Sequence, residues 1–421
     1  MQPARDDGAR ARDALRERAL ATPLDQLDPS RWELFSHDVV GDVFARLRRE
    51  APVHRCEQSE HGPFWSVTKF EDVRAVEIDY RRFSSENNIT IFDQPPDFTI
   101  PMFIAMDPPR PDAQRRGVRP SGAPKNLREL EPTIRARAAA ILDALPVGET
   151  FDWVDRVSIE LTIQMLATLF DFPFEERRRL KRWSDVATGG PQTGIVASKE
   201  QRRAELRECL EVFLGLWRER EKRPPANDLI SMMAHAEATR DMPSRPMALL
   251  GNVVLLIVGG SDRTRNSISG GVLALHRFPE QWQRLRSDPS VIPNMVSEMI
   301  RWQTPLAHMR RTATEDTVLG GRTIRAGDKV VLWYLSANRD EDVYPDADRL
   351  IVDRRNAKHH LAFGFGIHRC VGAHLAEMQL RVLWEEIVRR FETIEVMEEP
   401  ERTKSNFVRG YTRMPVRVHA R

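Results

Sequence analysis

Residues 360 to 377, HLAFGFGIHRCVGAHLAE, constrain this chain more than any other stretch. Gly364 and Gly366 permit backbone conformations and close approaches that a Cβ would forbid. They lead to Cys370, one of three cysteines in 421 residues, and then to AHLAEMQLRVLWEEIVRRF, a run with strong helical periodicity. A lone cysteine is usually a small buried hydrophobe. Just ahead of a helix, however, a thiol meets the positive end of the helix dipole and unpaired amide donors, which favour the thiolate. That environment suits a nucleophile or a metal-bound sulfur.

A nucleophile needs a base oriented by a third group, and His368 has no orienting carboxylate nearby in the sequence. Axial ligation of haem iron needs only the thiolate, a sheltered loop and amide donors around the sulfur.

The rest of the chain predicts a mainly α fold with small β-sheets. TIRARAAAILDAL, VDRVSIELTIQMLATLF and RAELRECLEVFLGLWRERE carry apolar residues at helical spacing and break at Pro146, Pro173 and Pro224. Strand patterns are short, as in FWSVTKF and TVLGGRTIRAGDKVVLWY, and a polar, proline-bearing stretch runs from Ser84 to Pro111. With no linker, repeat or low-complexity tract, one domain over residues 27–421 is expected, preceded by an arm, residues 1–26, expected to be poorly ordered.

Sixty-four basic residues nearly cancel 62 acidic ones, and no basic stripe is interleaved with aromatics, which argues against nucleic-acid binding. RRRLKR at 177–182 adjoins Glu175 and Glu176 and reads as a solvated helix face. Cys56, Cys209 and Cys370 are too scattered for a disulfide framework. The charged N-terminus lacks a signal-peptide core, and the apolar run from Ala248 to Gly260 is shorter than the ~18 residues of a membrane span. A cytoplasmic protein without a membrane anchor is expected.

FGFGIHRCVG resembles the cysteine-ligand loop of the cytochrome P-450 superfamily, F-G-x-G-x-H/R-x-C-x-G, with Phe363, Gly364, Gly366, His368, Cys370 and Gly372 at its fixed positions. EMIR, with Glu298 and Arg301 at i and i+3, is similar to the family's buried ion pair, and Arg349 in DADRL is the expected third member. VVLLIVGGSDRTRNSISGGVLAL resembles the long central helix over the haem. There, paired glycines cost roughly 1 kcal/mol each against alanine, and at Gly259 and Gly260 a flat cofactor would justify them. Asp262 stands where the family's acid feeds protons toward oxygen.

Two positions depart from the pattern. The family has threonine after that acid; this chain has Arg263, with Thr264 one step on, and Asp262 is the nearest carboxylate in sequence for the new guanidinium. The family has a propionate-binding histidine where this chain has Pro111, so haem anchoring should fall on Arg115, Arg311 and His368.

The resemblance runs from about Leu27 to Val418 and is strongest to the bacterial alkane ω-hydroxylase subfamily, through stretches such as FIAMDPP and SEMIRWQTPLAHMRRTA. It implies an oxidoreductase holding haem b through the Cys370 thiolate, with the P-450 fold. The implied activity is monooxygenation at the terminal carbon of medium-chain linear alkanes, fatty acids or related apolar chains. Electrons would come from a [2Fe-2S] ferredoxin and its NAD(P)H reductase, with Arg369 on the docking face. ITIFDQPPDFTIPMF, the helix around Leu256 and Val258, and TPLAHM are the expected pocket walls. Arg263 leaves open a peroxide-using or other non-monooxygenase haem-thiolate enzyme, and a haem-based sensor is a third reading.

Overall fold

In a computed structural model, which describes residues 3–86, 88–109, 115 and 123–421, the chain is mostly helical. The elements that position the site, in chain order, are α1 (Pro3–Ala21), α2 (Val40–Glu50), β1 (Val53–Cys56), β2 (Phe64–Val67), α3 (Phe70–Ile78), β3 (Phe83–Ser84), α4 (Pro124–Asp143), β4 (Thr150–Asp152), α5 (Glu160–Phe170), α6 (Arg178–Thr188), α7 (Lys199–Arg220), α8 (Pro246–Arg277), α9 (Ile292–Gln303), β5 (Met309–Ala313), β6 (Lys329–Leu332), α10 (Ala373–Arg390), β7 (Phe391–Val396) and β8 (Pro415–Ala420).

The 32-residue α8 organises the molecule. Pro246 occupies its first turn, where the missing N–H costs nothing, and its apolar residues continue without a breaker until Phe278 and Pro279. At 1.5 Å per residue it runs about 48 Å, long enough to touch both sides of the core. It packs on α5, α6, α9 and α10. Ile257, Ile268, Val272 and Leu273 are buried there with Trp384 of α10. Each fully buried aliphatic side chain contributes roughly 1.5–3 kcal/mol. The length and apolarity of α8 would also suit a membrane span, yet 61% of its most apolar window is buried inside the protein. A Cβ on Gly260 would stand 2.6 Å from Leu166 Cδ2 of α5, so this glycine serves a helix crossing, whereas a Cβ on Gly259 would meet nothing within 4 Å.

The larger sheet has the order β1-β2-β6-β5-β3, antiparallel except between β2 and β6. A second sheet of three antiparallel strands runs β4-β8-β7. The N-terminal arm departs from expectation. It forms α1, whose Leu15 and Ala19 are buried and whose Arg16 pairs with Asp42 of α2 at 2.9 Å. Two apolar side chains one turn apart, the Arg16 pair and the bond Arg46 donates to Leu20 O dock a helix whose composition is otherwise charged.

The buried ion cluster also needs correction. Glu298 and Arg301 are both fully buried and pair at 2.7 Å, and the third member is Arg354, whose Nε donates to Glu298 Oε1 at 2.9 Å. Arg349 instead points outward to Glu280 at 2.7 Å, with half its side chain exposed. Its contribution is its backbone carbonyl, which accepts from Arg301 at 3.0 Å and Arg354 at 3.2 Å. Arg301 also donates to the carbonyls of Asn338 and Ala347 at 2.7 and 2.8 Å. Asn338 Oδ1 in turn accepts from the Leu361 amide at 2.7 Å, fixing the segment that enters the cysteine loop.

Candidate active site

The loop before α10 turns at Gly364 and Gly366, with φ of +69° and +61°, values that L side chains rarely adopt. The Gly364 amide donates to Leu361 O and the Cys370 amide to Phe363 O, both at 2.8 Å. These bonds hold the thiol three residues ahead of α10. Cys370 is partly buried and forms one side of a cavity with Phe363, Gly364 and His368 from its own loop. Ile104, Leu306 and Met309 supply apolar walls, and Arg263 enters from α8. Asp262, Thr264, Leu256 and Val258 do not line it.

One edge of this cavity is cationic and fully hydrogen-bonded. Arg311, on β5, donates to Glu77 Oε2 at 2.6 Å. Burial works against its charge, but Glu77 outweighs that and raises the guanidinium pKa. Glu77 also accepts from Tyr334, whose phenol pKa is driven up first by burial and then by that carboxylate. His368 Nε2 meets Ser85 Oγ at 2.8 Å, and its pKa falls to about 3 through burial, with Arg311 and Arg115 adding repulsion. Arg115 donates to Ile367 O at 2.6 Å and to Arg369 O, clasping the cysteine loop. Pro111 lies outside the described residues.

Over the whole chain this arrangement has relatives. A cytochrome P450 family model matches residues 147–417. The chain belongs to the cytochrome P450 family. The solved structure of CYP153D17 from Sphingomonas sp. PAMC 26605 is similar at 50% identity and a TM-score of 0.88, over 94% of this chain and 100% of that one. Linalool 8-monooxygenase of Pseudomonas putida shares 36% identity over 93% of this P450 and 99% of that protein. Methyl-branched lipid omega-hydroxylase of Mycobacterium bovis shares 34% over 91% and 92%. The resemblance to the alkane ω-hydroxylase subfamily stands with these likenesses, and as a P450 the protein carries haem b.

The donor set fits that group. A soft sulfur just ahead of a helix N-terminus suits iron, apolar walls suit the porphyrin faces, and Arg311, His368 and Arg115 along one edge suit propionates. Gly364 and Phe363 lie beside the sulfur, and only Gly259 of the paired glycines leaves open space beside it.

Asp262, expected to be the distal acid, is engaged elsewhere. Asp262 Oδ1 accepts from Ser184 Oγ at 2.9 Å and pairs with Arg265 at 3.0 Å, while Thr188 reaches Oδ2 at 3.4 Å. Burial raises its pKa and Arg265 opposes the rise. The carboxylate therefore pairs with the arginine three residues on, whose side chain shares its helix face, and not with adjacent Arg263, turned ~100° away. Glu77, Tyr334, Ser85, Ser184, Arg265 and Arg354 escaped the sequence reading. Glu77 sits in FEDVRAVEI, where a glutamate near a helix end looks solvent-facing, and only the fold shows it buried.

Proposed function

We propose that this P450, a haem-thiolate monooxygenase, hydroxylates the terminal carbon of medium-chain linear alkanes, fatty acids or related apolar chains. Electrons would come from a [2Fe-2S] ferredoxin and its NAD(P)H reductase, in the cytoplasm. The observation that carries the reading is the apolar wall of Ile104, Leu306 and Met309 facing Cys370, in a chain half identical to CYP153D17 over nearly its whole length. One relative named for ω-hydroxylation of a lipid supports the same regiochemistry.

When bound, haem supplies oxygen activation, and a thiolate ligand favours O–O cleavage. The chain's own residues do the rest. Cys370, held by the hydrogen bond its amide donates to Phe363 O, would ligate the iron. Arg311, His368 and Arg115 would hold the propionates, and neutral His368 would donate through a ring N–H. The Asp262–Arg265 pair continues to Asp185 at 3.1 Å and on to Lys181, a chain of ion pairs that ties helix α8 to helix α6. A terminal methyl has the strongest C–H bonds of a linear chain. The walls must therefore hold that end at the reacting position and exclude the weaker methylenes, which is a matter of placement.

The test is product analysis with decane and decanoic acid, using ferredoxin, reductase and NAD(P)H. Mainly 1-decanol and the ω-hydroxy acid are expected, and mainly internal alcohols would overturn the reading. Exposed Arg369 on the loop suits an acidic ferredoxin, whose electron-transfer rate should fall with salt. Arg263 in the cavity favours one second reading, peroxide-driven turnover, which hydrogen peroxide alone in the same assay would reveal.

A further inference from the structure

Arg263 is the odd member of the Cys370 cavity. The other cations at its edge have acceptors: Glu77 for Arg311, the carbonyls of Ile367 and Arg369 for Arg115. Among the described residues the Arg263 side chain makes no ion pair, although its charge reaches Tyr334 and opposes the rise of that phenol's pKa. The nearby carboxylates are committed, Asp262 to Ser184 and Arg265, Glu77 to Arg311 and Tyr334. A guanidinium half-buried against Ile104, Leu306 and Met309 has given up part of its hydration without gaining a counter-charge among the described residues. Its planar fork of N–H donors matches a carboxylate.

We propose that Arg263 makes the α8 side of this cavity a binding site for a carboxylate or an inorganic monoanion of similar size. The assignment rests on haem being held at Cys370 and adds a ligand that terminal hydroxylation does not require. Two sources share the chemistry, a free small anion and the head group of a fatty acid. A fatty acid bound by its head would present the wrong end for ω-oxidation, so the site would act as an inhibitory mode for acids and leave alkanes untouched.

The experiment titrates the ferric, haem-loaded wild type, Arg263→Thr and Arg263→Lys with sodium formate at constant ionic strength, following the Soret band and spin state. Formate should perturb the wild-type spectrum saturably. Its affinity should fall at least 10-fold in Arg263→Thr and recover in part in Arg263→Lys; Arg263→Gln serves if the threonine variant does not take up haem. Decanoate that raises the apparent formate constant identifies a substrate head group as the occupant, while independent binding identifies a free anion. Either result upholds the site. Equal formate affinity in wild type and Arg263→Thr overturns it. If both proteins then still show the thiolate band in their reduced carbon monoxide spectra, the haem assignment survives. A wild type without that band removes the haem assignment first and this site with it.

Discussion

The two sides of the Cys370 cavity are held in different ways. Below the cysteine loop, every charge of the Glu298, Arg301 and Arg354 cluster ends on another charge or a backbone carbonyl, all buried. Above it, α8 offers an arginine without an ion-pair partner among the described residues, and the 88–109 segment is held by bonds to distant parts of the chain, among them His308, whose Nε2 accepts from the Ile91 amide at 3.2 Å while Nδ1 donates to Asn406 O at 2.9 Å. A saturated network tolerates no deletion because each loss strands a buried partner. An under-determined one can change residues and keep the fold. The α8 side, with its unpaired arginine, is thus the one better able to accept a substitution.

The sharpest way to break this contrast is at the sulfur. Cys370→His should abolish the red-shifted Soret band of the reduced carbon monoxide complex, and an unchanged spectrum would remove Cys370 as the ligand. Next in size, Glu298→Ala should cost about 3–5 kcal/mol in urea denaturation, since it leaves two buried guanidinium groups unpaired. Arg354→Ala should approach that loss. Arg349→Ala should cost under about 1 kcal/mol, because its side chain makes an exposed pair and its carbonyl survives the change.

His308 sharpens the comparison through pH. Burial lowers its pKa from 6.5 to about 3. As pH falls below 6.5 the unfolded chain takes up a proton that the folded protein refuses, so stability is complete above 6.5 and declines down to about 3. The slope is about 1.4 kcal/mol per pH unit for one such group, or about 2 kcal/mol at pH 5. His308→Gln, which keeps a donor and an acceptor, should flatten the urea-midpoint profile between pH 7 and 5 by that amount; an unchanged slope would show that His308 titrates normally.

On the distal side, Arg263→Thr should raise product formed per NAD(P)H consumed by up to about 10-fold, equivalent to about 1.4 kcal/mol in the chemical step, and leave the carbon monoxide spectrum alone. A wild type already coupled, with no gain on substitution, would make Arg263 a working part of proton delivery. The smallest effect belongs to the exposed Arg203–Asp97 pair at 2.8 Å, which joins α7 to the 88–109 segment. Arg203→Ala should cost only a few tenths of a kcal/mol, less at high salt, and leave product identity unchanged by chromatography.

Much of the proximal side was legible because its chemistry is local. Glycines before a cysteine before a helix, and Glu298 with Arg301 at i and i+3, are statements about neighbours in sequence. The misreadings were long-range. Arg349 and Arg354 lie five residues apart in one irregular segment, and no periodicity says which folds back onto Glu298. α1 was hidden by composition, since among its described side chains Leu15 and Ala19 alone are buried. Glu77 was invisible because its partners, Arg311 on a strand and Tyr334 at the start of a short helix, come from far along the chain. At Arg263 the sequence singled out a residue that lines the cavity, and the helix geometry of Asp262 and Arg265 settled which arginine keeps the acid.

The parallel pairing of β2 with β6 sets Trp65 against Val330. During synthesis the hairpin of β1 and β2 therefore waits with an open edge until three quarters of the chain has left the ribosome. Closing so long a loop costs about 5 kcal/mol of chain entropy before any contact repays it, and pairings of this range fold slowly. The sheet and the cysteine loop, both completed by the last third of the chain, should become native together. Haem would then be captured as a late event in biogenesis, by a chain whose helical middle is already folded.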